Sequence, residues 1–295
     1  MDTLNLGFSE NVLRILRLNN SAEIVFKDEI DLGFNMNDEE YLRKNRDELV
    51  FSFTEKLSDV LKYETLEINE ASILIDTSQT FLNIFPLDFQ EDQGSINSHI
   101  LWELSNYFPD NYKEFNIKYY RLNNKYLSGG IDEVLLIAVD KNKIEFIKNL
   151  CNGSGIKIKS VDIDQFVVER CIKEIYQAEL NDKTVLLVGC KNSRLDFSLI
   201  KDGKIKYYDY ENAGTTNFKT LLAKQMNFFN SMFNEDNAGT IFLYGDRNSE
   251  VVKNFFNEEF EKLPVILIDP FDKTNRDENL SKYSPLYGLA LKNFD

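Results

Sequence analysis

Residues 184–210, TVLLVGCKNSRLDFSLIKDGKIKYYDY, decide the fold. Val185-Leu186-Leu187-Val188 is an unbroken apolar run, as expected of a strand buried on both faces. Residues 195–200 and 204–210 read as two further strands, and Lys201-Asp202-Gly203 between them is a hairpin turn. Towards the C-terminus the pattern predicts a helix over 218–233 and a buried strand over 240–244. A helix over 249–260, a strand over 265–268 and a short closing helix over 285–293 follow. Strands in hairpins, then helix, strand, helix, strand describe one RNase H-like unit.

Towards the N-terminus the same layout returns. Residues 4–18 and 22–30, joined by Asn19-Asn20-Ser21, read as two or three antiparallel strands. Residues 38–63 are mostly helical, with Leu49, Phe53, Leu57, Val60 and Leu61 on one stripe. Residues 71–76 form a buried strand, and 80–87 a second strand ended by Pro86. Residues 95–107 form a helix with Ile96, Ile100, Leu104 and Phe108 on one face, stopped by Pro109. Strands follow at 115–122 and 133–139, around a Ser128-Gly129-Gly130 loop. A helix over 141–151 runs into Gly153-Ser154-Gly155, then a strand over 156–163 and a helix over 165–176. The first half is thus the second with an insertion, and two such halves make the actin-like α/β fold. The repeat is one of layout, without strong internal sequence similarity.

Composition narrows the function classes. The chain has 295 residues and a net charge of −15, so phosphate backbones and anionic lipid surfaces repel it. No lysine or arginine cluster compensates, since Lys201, Lys204 and Lys206 are flanked by Asp202 and Asp209. Nucleic acid is therefore not the expected partner, whereas a basic protein segment would be compatible. No run of about 18 apolar residues occurs, so no membrane insertion is expected. The start, Met1-Asp2-Thr3-Leu4, lacks the basic and apolar regions of a signal peptide, which predicts a cytoplasmic protein. Cys151, Cys171 and Cys190 are odd in number and widely spaced, and read as reduced core thiols. His99 is the sole histidine, so a metal site and a Ser-His-Asp triad on Ser9, Ser193 or Ser198 are poorly supported.

Several runs then fit one family in order. Residues 95–109 (SINSHILWELSNYFP), 134–139 (VLLIAV), Gly155-Ile156 through Val161-Asp162, and Arg170 resemble consecutive elements of the PilM family of type IV pilus assembly proteins. Asp202-Gly203-Lys204, Asp269-Pro270-Phe271 and 285–291 (PLYGLAL) resemble its later elements, so the likeness covers nearly the whole chain. The resemblance implies an FtsA/PilM-like fold of two RNase H-like halves with a small inserted α+β subdomain. It sets the first half at 1–180, with the insert at about 90–158, and the second at 181–295. It also implies a partner: an inner-membrane assembly protein whose short cytoplasmic tail docks between the first half and the insert. The protein would then be cytoplasmic and held peripherally at the inner membrane, and a homodimer is compatible with it. The cytoplasmic domain of the type II secretion protein GspL is a similarly built platform.

The departures from that pattern bear on catalysis. An actin-like ATPase needs two tight turns, each with an Asp for Mg²⁺ or water and a Gly that lets backbone N–H groups approach phosphate. The first would fall at residues 6–11, where Gly7 is present but Ser9 stands for the Asp. The second would fall at 188–193, where Gly189 takes the Asp position and Lys191 the Gly position. The adenosine motif is reduced to Tyr244-Gly245-Asp246. Between Ala213-Gly214 and Gly239 there is room for one helix only, so the helical subdomain that closes over the base is reduced.

These departures predict a pseudo-ATPase that is not an enzyme and holds no cofactor. ATP with Mg²⁺ belongs to the alternative, a nucleotide-binding ATPase with unorthodox phosphate loops. A third reading is an unrelated soluble interaction domain. The aromatic set around the insert supplies the candidate peptide surface, Trp102, Tyr107, Tyr119 and Tyr120. Gly153-Ser154-Gly155 follows a helix instead of preceding one, so it reads as a cap, not a phosphate loop. Asp162 and Asp164 could face one way as paired carboxylates, but Asp164 reads better as a helix cap. The DKTNRD run at 272–277 lacks the spacing of a calcium loop.

Overall fold

The computed structural model describes residues 3–63, 69–122, 132–177, 184–201, 203–212, 220, 222, 225, 238–245, 249–259, 263–271 and 280–292. Its contacts divide the chain into two compact units. One comprises Met1–Asn5, Arg14–Asp28 and Asp162–Asp295, the other Leu6–Leu13 and Glu29–Val161.

The N-terminal sheet contains β1 (Thr3–Phe8), β2 (Val12–Leu18), β3 (Ile24–Asp31), β4 (Glu70–Ile75) and β8 (Lys157–Ile163), in the order β3-β2-β1-β4-β8. Helices α1 (Glu39–Lys44) and α2 (Arg46–Tyr63) connect β3 to β4. The expected stripe on α2 is present, with Leu49, Phe53 and Leu57 buried and Phe53 stacked on Phe8 at 5.9 Å.

Between β4 and β8 lie β5 (Phe81–Leu87), α3 (Gln93–Tyr107), β6 (Phe115–Arg121) and β7 (Asp132–Asp140), whose strands form a sheet of order β5-β7-β6. Both edge strands pair antiparallel with β7. Pro86 sits within β5 opposite Glu133, tolerated because β5 is an edge strand. Helix α3 starts at Asp92, whose carboxylate accepts from the N–H groups of Gly94 and Ser95 at 2.8 and 3.1 Å. It covers the sheet with Ile96, Ile100 and Leu104 against Phe85, Val134, Leu136 and Ala138. The sheet thus spans 81–140, and the expected insert bounds of 90–158 leave out β5 and take in α4.

Helix α4 (Lys141–Gly153) leads into β8, and α5 (Asp164–Ile175) follows it. Gly155 closes the end of α4 with φ 74°, a backbone conformation that favours glycine.

The C-terminal sheet is built from β9 (Thr184–Cys190), β10 (Arg194–Lys201), β11 (Lys204–Asn212), β12 (Ala238–Gly245) and β13 (Val265–Leu267), in the order β11-β10-β9-β12-β13. Its first three strands are antiparallel hairpins, while β12 runs parallel to β9 and to β13. Helix α6 (Ser249–Glu259) crosses between β12 and β13, and α7 (Ser284–Leu291) packs on α5. Every residue of β9 is buried, as its unbroken apolar run requires. Val188, Phe197, Leu243 and Phe256 belong to one core cluster, and burying each such side chain contributes about 1.5–3 kcal/mol. Leu222 reaches the same cluster from the expected helix over 218–233, most of which lies outside the described residues.

The two five-stranded orders match position by position: hairpin strands on one side, then the fourth strand, then the fifth. Helix α4 before β8 takes the place that α6 takes before β13, and the three-stranded sheet is the insertion. This is the α/β architecture of two RNase H-like halves read from the sequence.

Candidate functional site

The turn between β9 and β10 contains Lys191, Asn192 and Ser193. The Lys191 main-chain N–H donates to Arg194 O at 3.0 Å, so it is spent inside the turn. The Lys191 side chain is buried, and its Nζ lies 2.6 Å from Asp164 Oδ2 and 3.0 Å from Asp196 Oδ2. Arg194 grips the other oxygen of Asp196 through Nε at 2.9 Å and Nη2 at 2.7 Å, and donates to the Tyr208 hydroxyl at 2.8 Å. The Tyr208 hydroxyl donates in turn to Asp196 Oδ1 at 2.5 Å. The Arg194 guanidinium also stacks 4.1 Å over the Tyr210 ring.

Two cations and two carboxylates therefore balance in one buried cluster. Burial alone would raise the pKa of Asp196. The charges of Lys191 and Arg194, with hydrogen bonds from Tyr208 and Arg194, outweigh it and lower its pKa to about 2. Burial and the neighbouring Asp196 charge push the Tyr208 phenol upward.

Gly189 stands opposite Asp196 on β10 and opposite Tyr244 on β12. A Cβ there would lie 2.7 Å from Gln165 Oε1 and 2.7 Å from the Tyr244 hydroxyl. That space is filled by a buried relay. Tyr244 donates to Gln165 Oε1 at 2.6 Å, and Gln165 Nε2 donates to Ser198 Oγ at 2.9 Å. Gly245 has φ 122°, and a Cβ on it would meet Cys190 O at 2.1 Å, so glycine is required by the approach of two strands. Asp246 lies outside the described residues.

At the first turn Gly7 lies inside β1, and the turn itself comprises residues 9–11. The Ser9 N–H donates to Val12 O at 3.0 Å, closing the hairpin. Phe8 O accepts from Asp76 N at 3.2 Å and from Gln79 Nε2 at 2.8 Å.

The four candidate aromatics do not form one surface. Trp102 and Tyr107 are exposed on α3, but five residues apart they point about 140° from each other. Tyr119 faces the α3 side of its sheet and accepts from Gln93 Nε2 at 2.8 Å. Tyr120 points to the other face, as strand alternation dictates, with Lys118 5.0 Å over its ring. His99 is half-buried between Phe85 and Trp102.

Asp162 and Asp164 diverge: Asp162 pairs with Lys292 at 2.7 Å, and Asp164 with Lys191. Asp164 is the first residue of α5, and the cap position is Ile163. All three cysteines are buried and none is in a disulfide, and burial pushes the Cys151 thiol up to about 12. The 272–277 run, Ser128–Gly130 and Asp202 lie outside the described residues.

Sequence reasoning missed the partners of Lys191. A signal was present: Arg194, Asp196 and Ser198 alternate with Leu195, Phe197 and Leu199 in β10. A strand buried on both faces with one polar face must satisfy that face internally.

Paired RNase H-like halves, one carrying an inserted three-stranded subdomain, define an actin-like α/β protein. The chain belongs to the family of the type IV pilus assembly protein PilM, whose sequence profile matches residues 13–258. Among solved structures it resembles a PilM–PilN type IV pilus biogenesis complex, with TM-score 0.70 at 12% identity over 99% of this chain and 98% of that one. It also resembles the cytoplasmic domain of EpsL, an inner-membrane component of the Vibrio cholerae type II secretion system. There the TM-score is 0.54 at 10% identity, over 99% and 95% of the two chains. A Bacteroides thetaiotaomicron protein with an actin-like ATPase fold and unknown function gives TM-score 0.54 at 10% identity, over 98% and 95%. No curated protein matches the chain.

Proposed function

We propose that this protein is an actin-like docking scaffold of a type IV pilus or type II secretion-like machine. It holds the cytoplasmic segment of an inner-membrane assembly protein and does not hydrolyse ATP. The observation that carries the second part is the fate of Lys191. At the position where a phosphate loop needs a bare backbone, a buried lysine is neutralised by Asp164 and Asp196. Its main-chain N–H is already engaged, so the turn offers a phosphate neither spare charge nor that donor.

Two similarities support the docking part. One similar structure is a PilM–PilN complex, and another is the cytoplasmic part of an inner-membrane secretion component. No helix among the described residues is long and apolar enough to cross a membrane. Attachment there through a partner is consistent with that.

Calorimetric titration with Mg²⁺·ATP, paired with thermal unfolding, tests the reading. A ligand at 100 times its Kd stabilises the native state by about 2.7 kcal/mol, a shift that is easily seen. No heat and no shift are expected. Binding at micromolar concentration would overturn the proposal in favour of a nucleotide-switched ATPase.

A further inference from the structure

A cavity of about 570 Å³ opens between α1, the start of α2 and the start of α4. Leu42 and Phe146 give it a buried apolar floor. Its charged lining is Glu39, Glu40, Arg43, Arg46, Asp140 and Lys143. The buried stripe of α4 runs Lys143, Phe146, Ile147, Leu150 and Cys151, so a lysine stands where the spacing calls for an apolar side chain.

Lys143 has 7% of its side chain exposed, yet the carboxylate nearest its Nζ, Glu39, is 3.5 Å away and 70% exposed. Burial lowers the lysine's pKa, and the charge and hydrogen bond of Glu39, with the charge of Asp140, only partly oppose this. An ammonium has three donors, and one solvent-exposed carboxylate at 3.5 Å leaves it capacity for a further acceptor.

The other acids are occupied. Asp140 accepts from Asn142 N at 2.7 Å as the cap of α4, and Glu40 pairs with Lys44 at 2.5 Å. The deep charge of the cavity is positive, and the acids Glu39 and Glu40 at its exposed edge are negative. The N-terminal end of α4 adds its partial positive charge.

We infer that this cavity receives a carboxylate of the docked partner segment, with Lys143 as its counter-ion in place of Glu39. The inference rests on the docking reading above. A monoanionic carboxylate fits better than phosphate, because three acids line the cavity beside its three cations. A guest cation would instead face a buried ammonium.

The test uses the full chain with ¹³C-labelled lysine and three probes: N-acetyl-glutamate methylamide, its glutamine analogue and inorganic phosphate. The glutamate probe is expected to move the Lys143 Cε resonance saturably, and the glutamine analogue is not. Lys143→Met removes the response. Glu39→Gln, which takes away the competing internal carboxylate, tightens probe binding by about 1.5- to 5-fold. Equal binding of the glutamine analogue, tighter binding of phosphate, or no gain from Glu39→Gln would overturn the inference, and the last holds even if Lys143→Met fails to fold. The docking reading fails separately, if no cytoplasmic tail of a membrane protein encoded beside this chain is captured. Probe binding without tail capture would refute the partner segment as the source of the carboxylate.

Discussion

Replacing Lys191 by methionine removes one charge from a closed cluster while nearly preserving its volume. Asp164 then loses its ion pair with Lys191, Asp196 keeps its pair with Arg194, and Asp196 is fully buried. Breaking a buried pair by deleting one partner costs about 3–5 kcal/mol. At roughly 2–4 °C per kcal/mol for chains of this size, the variant should melt about 6–20 °C below the wild type. The loss should depend on pH. In the native protein the Asp196 pKa is held at about 2, against about 3.9 in an unfolded chain. A depressed carboxylate contributes stability above the unfolded value and loses it as pH falls through the folded one. Its contribution, on the order of 2–3 kcal/mol at neutral pH, is therefore lost between about pH 4 and pH 2. Without Lys191 the depression shrinks, so acid unfolding should begin at higher pH. Lys191→Met/Asp164→Asn leaves Asp196 with Arg194 as a neutral pair and should recover much of the loss, a coupling that a double-mutant cycle measures. Thermal unfolding followed by circular dichroism from pH 2 to pH 7 reads all three effects. A Lys191→Met variant melting within 2 °C of the wild type, or a double variant no better than the single, would refute the closed cluster.

Gly245→Ala places a Cβ 2.1 Å from Cys190 O at φ 122°; it should cost at least about 2–3 kcal/mol, visible as a lower melting temperature or loss of soluble protein. Tyr244→Phe deletes the donor to Gln165 Oε1 inside the core; the unpaired oxygen should cost about 1–3 kcal/mol, measured by urea unfolding.

Most of the fold was legible because its strands differ in kind. The apolar run of β9 and the Lys201–Lys204 hairpin are local features, and one sheet order follows from them. The bounds of the insertion were harder to read. Pro86 looked like a strand end, whereas on an edge strand it stays inside the ladder opposite Glu133. The aromatics of the insert suggest one peptide surface because they cluster in sequence. Helical and strand periods instead send Trp102 and Tyr107, and Tyr119 and Tyr120, to different faces. The partners of Lys191 stayed hidden because Asp164 lies 27 positions away in sequence, and only the fold brings α5 to the turn.

The two departures at residues 189 and 191 are linked through one element. Asp164 and Gln165 are adjacent at the start of α5; the first holds Lys191, and the second fills the space that Gly189 leaves. Glycine at 191 alone would remove the ammonium that Asp164 and Asp196 share. Aspartate at 189 alone would collide with the Tyr244–Gln165 pair and bring a third carboxylate beside Asp196. Each change is therefore penalised unless α5 and β12 change with it. The turn, the start of α5 and the end of β12 form one packed polar unit, and its stability depends on the residues that a phosphate loop would have to displace.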